Sequence, residues 1–130
     1  VVVQRTEWEA GHDRAGVERN FFMPRDYADP PANLVLVDGD HDLLDDGSTQ
    51  LLSTPGHTAG HQSVQIGDLV LGADVALFAS GLEDHRFPSF AYSQDDSVRS
   101  AERLRELRDA GLTIQPGHDP EVLQPGPLAT

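Results

Sequence analysis

The chain is 130 residues long, enough for one domain that buries about two-thirds of its unfolded surface. Its formal net charge of −13, from 22 acidic and 9 basic residues, repels phosphate backbones and anionic lipid, which argues against nucleic-acid and membrane-surface partners. Cysteine is absent, so disulfides, thiolate metal sites and cysteine nucleophiles are excluded together.

In chain order, "VVVQ" reads as a buried strand and "RTEWEAGHD" as a short helix begun by Thr6 or its neighbours. An apolar strand at residue 1, in a chain that opens without Met, leads us to expect further sequence upstream. Residues 18–33 carry three prolines and an aromatic cluster and read as irregular. "LVLV" at 34–37 is a strand turned by Asp38-Gly39, "DDGS" at 45–48 is a further turn, and "TQLLST" is the next strand. "HQSVQI" and "LVLGAD" flank Gly67-Asp68, whose leading glycine suits a type II′ hairpin.

After an irregular segment over 78–92 comes the clearest helix, Asp96 to Ala110. Ser93 and Asp96 fit a capping box, Val98, Ala101, Leu104 and Leu107 form an apolar stripe, and Gly111 ends it. "LTIQ" is the last strand, and the tail from Pro116 onward reads as loop. Strands before one long helix and a strand after it imply a layered α/β arrangement. The longest mostly apolar stretch, "LVLGADVALFA", is too short to span a bilayer and contains an Asp. With no signal peptide visible, the expected location is cytoplasmic.

Two stretches repeat a pattern: "LLSTPGH" ends at His57 and "LTIQPGH" ends at His118. Proline stops ladder pairing and glycine permits a sharp exit, so each imidazole is expected just past a strand's C-terminal end. "LVLGAD" delivers Asp74 in the same way, with Gly72 allowing close backbone approach. The crevice beyond the carboxyl ends of strands is where ligands bind in α/β sheets. Two histidines and a carboxylate gathered there suit zinc or a related divalent ion and leave positions open for water. A single Gly-His in a loop is usually only a turn residue; the repeated context carries the weight. His61 is read as facing inward behind this set, supporting the loop or another ligand by a hydrogen bond.

Other motifs carry less. "DGDHD" from Asp38 alternates like a calcium loop, but Leu43 and Thr49 stand where that loop needs Gly and a bidentate Glu, so it reads as a solvated acidic turn. Phosphate loops and nucleophile elbows are missing. Glu102, Glu106 and the arginines at 99, 103, 105 and 108 read as the solvated face of the long helix. Phe21, Phe22, Phe87, Phe90 and Tyr92, with His85, are weaker candidates for a substrate wall; ordinary core packing explains the aromatics as well.

"TPGHTAGHQS", then "LVLGAD", then "PGHD" together resemble the C-terminal half of metallo-β-lactamase-fold hydrolases. "VVVQRTEWEA" and the run from Val37 to Ser63 extend the likeness, which is nearest to the quorum-quenching N-acyl homoserine lactonases. The resemblance implies half of an αββα sandwich over residues 1–130. It implies a two-metal site, with zinc expected and iron or manganese as alternatives. In it His57 would bind one metal, His118 the other, and Asp74 would bridge both and serve catalysis. The implied reaction is hydrolysis of a lactone or ester-like small molecule by a metal-bound hydroxide. The rivals are a thioester or phosphoester hydrolase of the same superfamily, and a metal-free fragment serving in packing or assembly.

The chain departs from the family in two places. The family's His-x-His-x-Asp-His motif is nowhere in it, so the chain alone is expected to be incompetent, and the partner is expected to be the missing N-terminal half or a second copy. The lactonases' Tyr, three residues after the bridging Asp, is replaced by Leu77.

Overall fold

The computed structural model describes residues 1–13 and 22–120. Its elements, in chain order, are β1 (Val2–Gln4), α1 (Arg5–His12), α2 (Pro24–Ala28), β2 (Val35–Val37), β3 (His41–Asp42), β4 (Thr49–Ser53), β5 (Gln62–Ile66), β6 (Leu69–Ala73), α3 (Ala79–Asp84), α4 (Gln94–Asp109) and β7 (Thr113–Pro116). β1 and β2 form a parallel pair, with Val2 opposite Val35. The other five strands form one sheet in the order β3-β4-β5-β6-β7, antiparallel except for β6 and β7. Parallel neighbours need a crossover, and α4 lies in the connection from β6 to β7.

Two runs of antiparallel pairing leave β4, β6 and β7 pointing the same way, so the C-terminal ends of all three lie along one edge of the sheet. One sheet face packs on α4: Leu52 and Val70 meet Ala101 and Leu104 in a core completed by Val75, Ala76 and Leu82. Leu104 and Val70 are fully buried, each worth about 1.5–3 kcal/mol of apolar transfer. On the opposite face, Val64 pairs with Leu71 and Ile66 with Leu69, and Ile66, Leu69 and Leu71 stay exposed. Gln4 ties the two sheets: its side-chain amide donates to Gly39 O (2.7 Å) and to Gln62 Oε1 (2.9 Å), and its Oε1 accepts the Gly39 N–H (3.0 Å).

Several expectations are met and several corrected. In the Gly67-Asp68 turn only Gly67 has a positive φ, as a type II′ loop requires. The long helix begins at Gln94, two residues before the expected start, because Ser93 is its N-cap and accepts the Asp96 N–H. Half of the capping box is redirected, since the Ser93 N–H donates to Gly56 O (3.0 Å). Both segments expected to be irregular contain a short helix: 18–33 holds α2, with Pro24 in the first turn where no N–H is needed, and 78–92 holds α3. The acidic turn is not merely solvated: Asp42 accepts the N–H groups of Leu44 and Gly47, and Asp40 that of Ser53. The arginine face of α4 is not free either. Arg103 pairs with Asp40, and Arg105 and Arg108 pair with Glu83. Among the described residues no helix is long and apolar enough to cross a membrane.

Candidate metal centre

β6 and β7 lie side by side and deliver Asp74 and His118 from their ends. Before Asp74 the ladder shifts register between Leu71 and Ala73, and Ala73 adopts a left-handed φ of 47°. Such a bulge re-aims the next side chain. Gly117 fits against it because a Cβ there would sit 2.6 Å from Ala73 O. The outcome is a 3.0 Å approach of His118 Nε2 to Asp74 Oδ1. His57, arriving from β4, places its Nε2 3.9 Å from the other oxygen, Oδ2. One carboxylate thus presents a different oxygen to each of two imidazoles.

The loop that carries His57 is held on the α4 side. Ser100 Oγ donates to Pro55 O (2.6 Å), the Ser93 N–H to Gly56 O, and the Tyr92 N–H to His57 O (3.1 Å). Gly56 is required here: its φ is 137°, and a Cβ would lie 2.4 Å from the Ser97 backbone nitrogen.

His61 lies behind the carboxylate. Its Nε2 accepts the Asp74 N–H (3.2 Å), which puts the ring proton on Nδ1, within 2.9 Å of Thr54 Oγ1 and 3.0 Å of Thr54 O. Burial lowers its pKa, outweighing the opposing attraction of Asp74, so the neutral ring is favoured. The network runs on through Thr54 Oγ1 to Ser63 Oγ (3.0 Å) and from there to Gly72 O (3.3 Å), linking β4, β5 and β6.

A cavity of about 510 Å³ opens in front of this cluster, lined by His57, Asp74, His118, Leu77, Phe78, Pro88 and Phe90. An adjoining cavity of about 520 Å³ shares Leu77, Phe78, Pro88 and Phe90 and adds Phe87 and Arg86 among its walls. Of the suggested substrate wall, Phe87 and Phe90 are therefore at the cavities. Phe22 is not: its ring packs edge-on against Tyr27 at 5.4 Å, in a cluster with Trp8 and His12. His85 caps α3 in a left-handed conformation, stacks on Phe87 and lines neither cavity. Tyr92 lines neither cavity and serves the site through its backbone. Phe21 lies outside the described residues. Leu77, Phe78 and Pro88 line the site without having been proposed from sequence as wall residues. For Leu77 and Phe78, the position just past the Asp74 strand end was the available signal; Pro88, beyond α3, had none.

Among the described residues no group of three or more His, Asp or Glu closes into a metal-holding set. The donor chemistry nonetheless suits a divalent ion: two imidazoles and a carboxylate share one cavity, and the buried His57 Nδ1 has no hydrogen-bond partner among the described residues. The three side chains make part of a coordination set.

No protein-family model matches the chain. It is similar to the N-acyl homoserine lactonase AttM of Azorhizobium caulinodans, 29% identical over 131 residues, covering 93% of this chain and 50% of that protein. Among solved structures it is similar to an N-acyl homoserine lactone hydrolase with the product N-hexanoyl-L-homoserine bound at its catalytic metal centre, with a TM-score of 0.75 and 31% identity over 92% of this chain and 47% of that one. AidC, a dizinc quorum-quenching lactonase, shares the fold with a TM-score of 0.65 at 21% identity, over 92% of this chain and 47% of that one. The chain spans about half the length of the curated relatives it matches, and over that half it is similar in sequence and in fold to N-acyl homoserine lactonases.

Proposed function

We propose that this chain is the C-terminal half of a metal-dependent hydrolase that opens a lactone or a related ester. The observation that carries the reading is the carboxylate of Asp74, offering one oxygen to His57 and the other to His118 at the mouth of an apolar cavity. In this reading His57 would hold one divalent ion, His118 a second, and Asp74 would contribute to both. When bound, such a pair supplies Lewis acidity toward a carbonyl oxygen and a water of lowered pKa. Zinc suits the nitrogen and oxygen donors, and iron or manganese would also be accepted. His61 fixes the backbone of Asp74, and Leu77, Phe78 and Phe90 would receive the apolar part of a substrate and keep water from it. The remaining donors would come from the other half of the domain or from a second copy, since two imidazoles and one carboxylate are too few for two ions.

The test is elemental analysis of the intact protein, followed by a panel of lactone, ester, thioester and phosphoester substrates with and without a chelator. We expect bound zinc and lactone or ester hydrolysis that chelation abolishes and zinc restores. Full activity without metal, or thioester turnover far above lactone turnover, would overturn the proposal.

A further inference from the structure

The loop with the two histidines is gripped from a second side, by a helix more than fifty residues upstream. The Gly60 N–H, three residues after His57 and directly before His61, donates to Glu7 Oε2 at 2.7 Å. Thr6 Oγ1 donates to Ala59 O at 3.3 Å. Gly60 is buried, and a Cβ there would lie 2.5 Å from Glu7 Cβ and 2.6 Å from Glu7 N, so the first turn of α1 is seated directly on the loop. α1 follows directly on Gln4, whose side chain is bonded to Gly39 and Gln62. Ser100 of α4, its N-cap Ser93 and Tyr92 hold the carbonyls of Pro55, Gly56 and His57 in that order; beyond His57, Glu7 accepts the Gly60 N–H. A carboxylate accepting a backbone N–H is about twice as strong as a neutral pair.

We propose that Glu7 is a positioning residue, fixing the turn from His57 to His61 so that both imidazoles meet Asp74 in register. The inference rests on the reading of His57 as a metal ligand. Glu7 lines neither cavity and acts only through the loop.

The test uses the intact protein. Glu7→Met keeps the length and helix preference of the side chain but has no oxygen; Glu7→Gln keeps a neutral acceptor. Amide exchange at Gly60 is followed by NMR in the metal-free state, with the core amide of Val70 as reference, and zinc affinity is measured by competition with a chelator. Glu7→Met should speed Gly60 exchange about tenfold while leaving Val70 within about twofold. It should also weaken zinc by about tenfold or more, as loss of groups supporting a ligand does. Glu7→Gln should recover most of both effects. Unchanged Gly60 exchange in Glu7→Met, or equal acceleration at Gly60 and Val70, overturns the proposal. Should Glu7→Met not fold, Glu7→Asp, one methylene shorter, carries the same comparison. A wild-type protein that binds no zinc would defeat the metal reading, while the Gly60 exchange would still decide the role of Glu7.

Discussion

Leu77 stands three residues past Asp74, lines the cavity, and gives its carbonyl to the His118 N–H at 2.9 Å. Its side chain has no hydrogen-bond donor, where the resemblance drawn from the sequence implies a tyrosine. A donor aimed at a developing oxyanion is worth about 10²-fold in rate or more. Leu77→Tyr should therefore raise the kcat of lactone opening in the complete enzyme by about that factor, leaving its structure intact because the backbone bond to His118 persists. Equal turnover of wild type and variant would mean that another group serves the carbonyl. His57, Asp74 and His118 were legible as a set because Pro, Gly and strand ends are written in sequence. The side chains between them were not. Phe22, His85 and Tyr92 lie in segments without strand or long-helix periodicity, so nothing in their order says which way a ring points. Tyr27, in the same stretch, captures Phe22.

α4 was legible from its stripe, and both Ala101 and Leu104 are fully buried where that stripe placed them. Its polar face was read only in part: Arg99, Glu102 and Glu106 are exposed as expected, but periodicity tells which side is wet and not what reaches across. Arg103 spans from α4 to Asp40 and also donates to Ser53 O at 3.0 Å, binding the helix to the edge of the sheet. The Arg103 hydrogen bond holds the Asp40 carboxyl below its ordinary value of 3.8, against a smaller opposing push from partial burial. A carboxyl whose folded pKa is depressed adds stability above its unfolded pKa and loses it as pH falls through the folded one. Both side chains are a third to a half exposed, so solvent screening limits the pair to about 1 kcal/mol. Arg103→Met should cost about that much in urea unfolding at pH 7, and the gap to wild type should narrow as pH falls below about 4. A gap that is constant from pH 7 to about pH 2 would assign the loss to packing of the arginine stem instead. α2, α3 and β3 escaped the sequence reading for a different reason: at five, six and two residues they are shorter than the windows over which a period can be recognised.

At the scale of the molecule, the five-stranded sheet is packed by α4 on one face, while the other is covered only in part, at Leu51 and around Gln62. Ile66, Leu69 and Leu71 are 50, 38 and 39% exposed on the other, next to one another by register, in a chain of net charge −13. An apolar patch on so acidic a surface is the kind that finds a cover. We expect that cover to be the remainder of the domain, or a second copy where the remainder is missing, because the relatives are about twice as long as the region they share with this chain. The same reasoning applies to the site. On the proposed reading, two histidines and a shared carboxylate would leave each ion short of the three or four protein ligands that a stable zinc site needs. Prepared as these 130 residues, the protein should run above its monomer mass of 14.1 kDa, retain less than one zinc per chain after dialysis, and show no lactone hydrolysis above background. Supplying the partner half should restore the metal and the activity and remove the self-association together, since one surface is expected to serve both. Replacing Leu69 and Leu71 with threonine, which keeps strand preference while reducing the apolar area, should weaken association without touching His57, Asp74 or His118. A monomer that keeps two zinc ions and opens lactones unaided would show that the described half is a complete catalyst, and the account of the exposed face would fall with it.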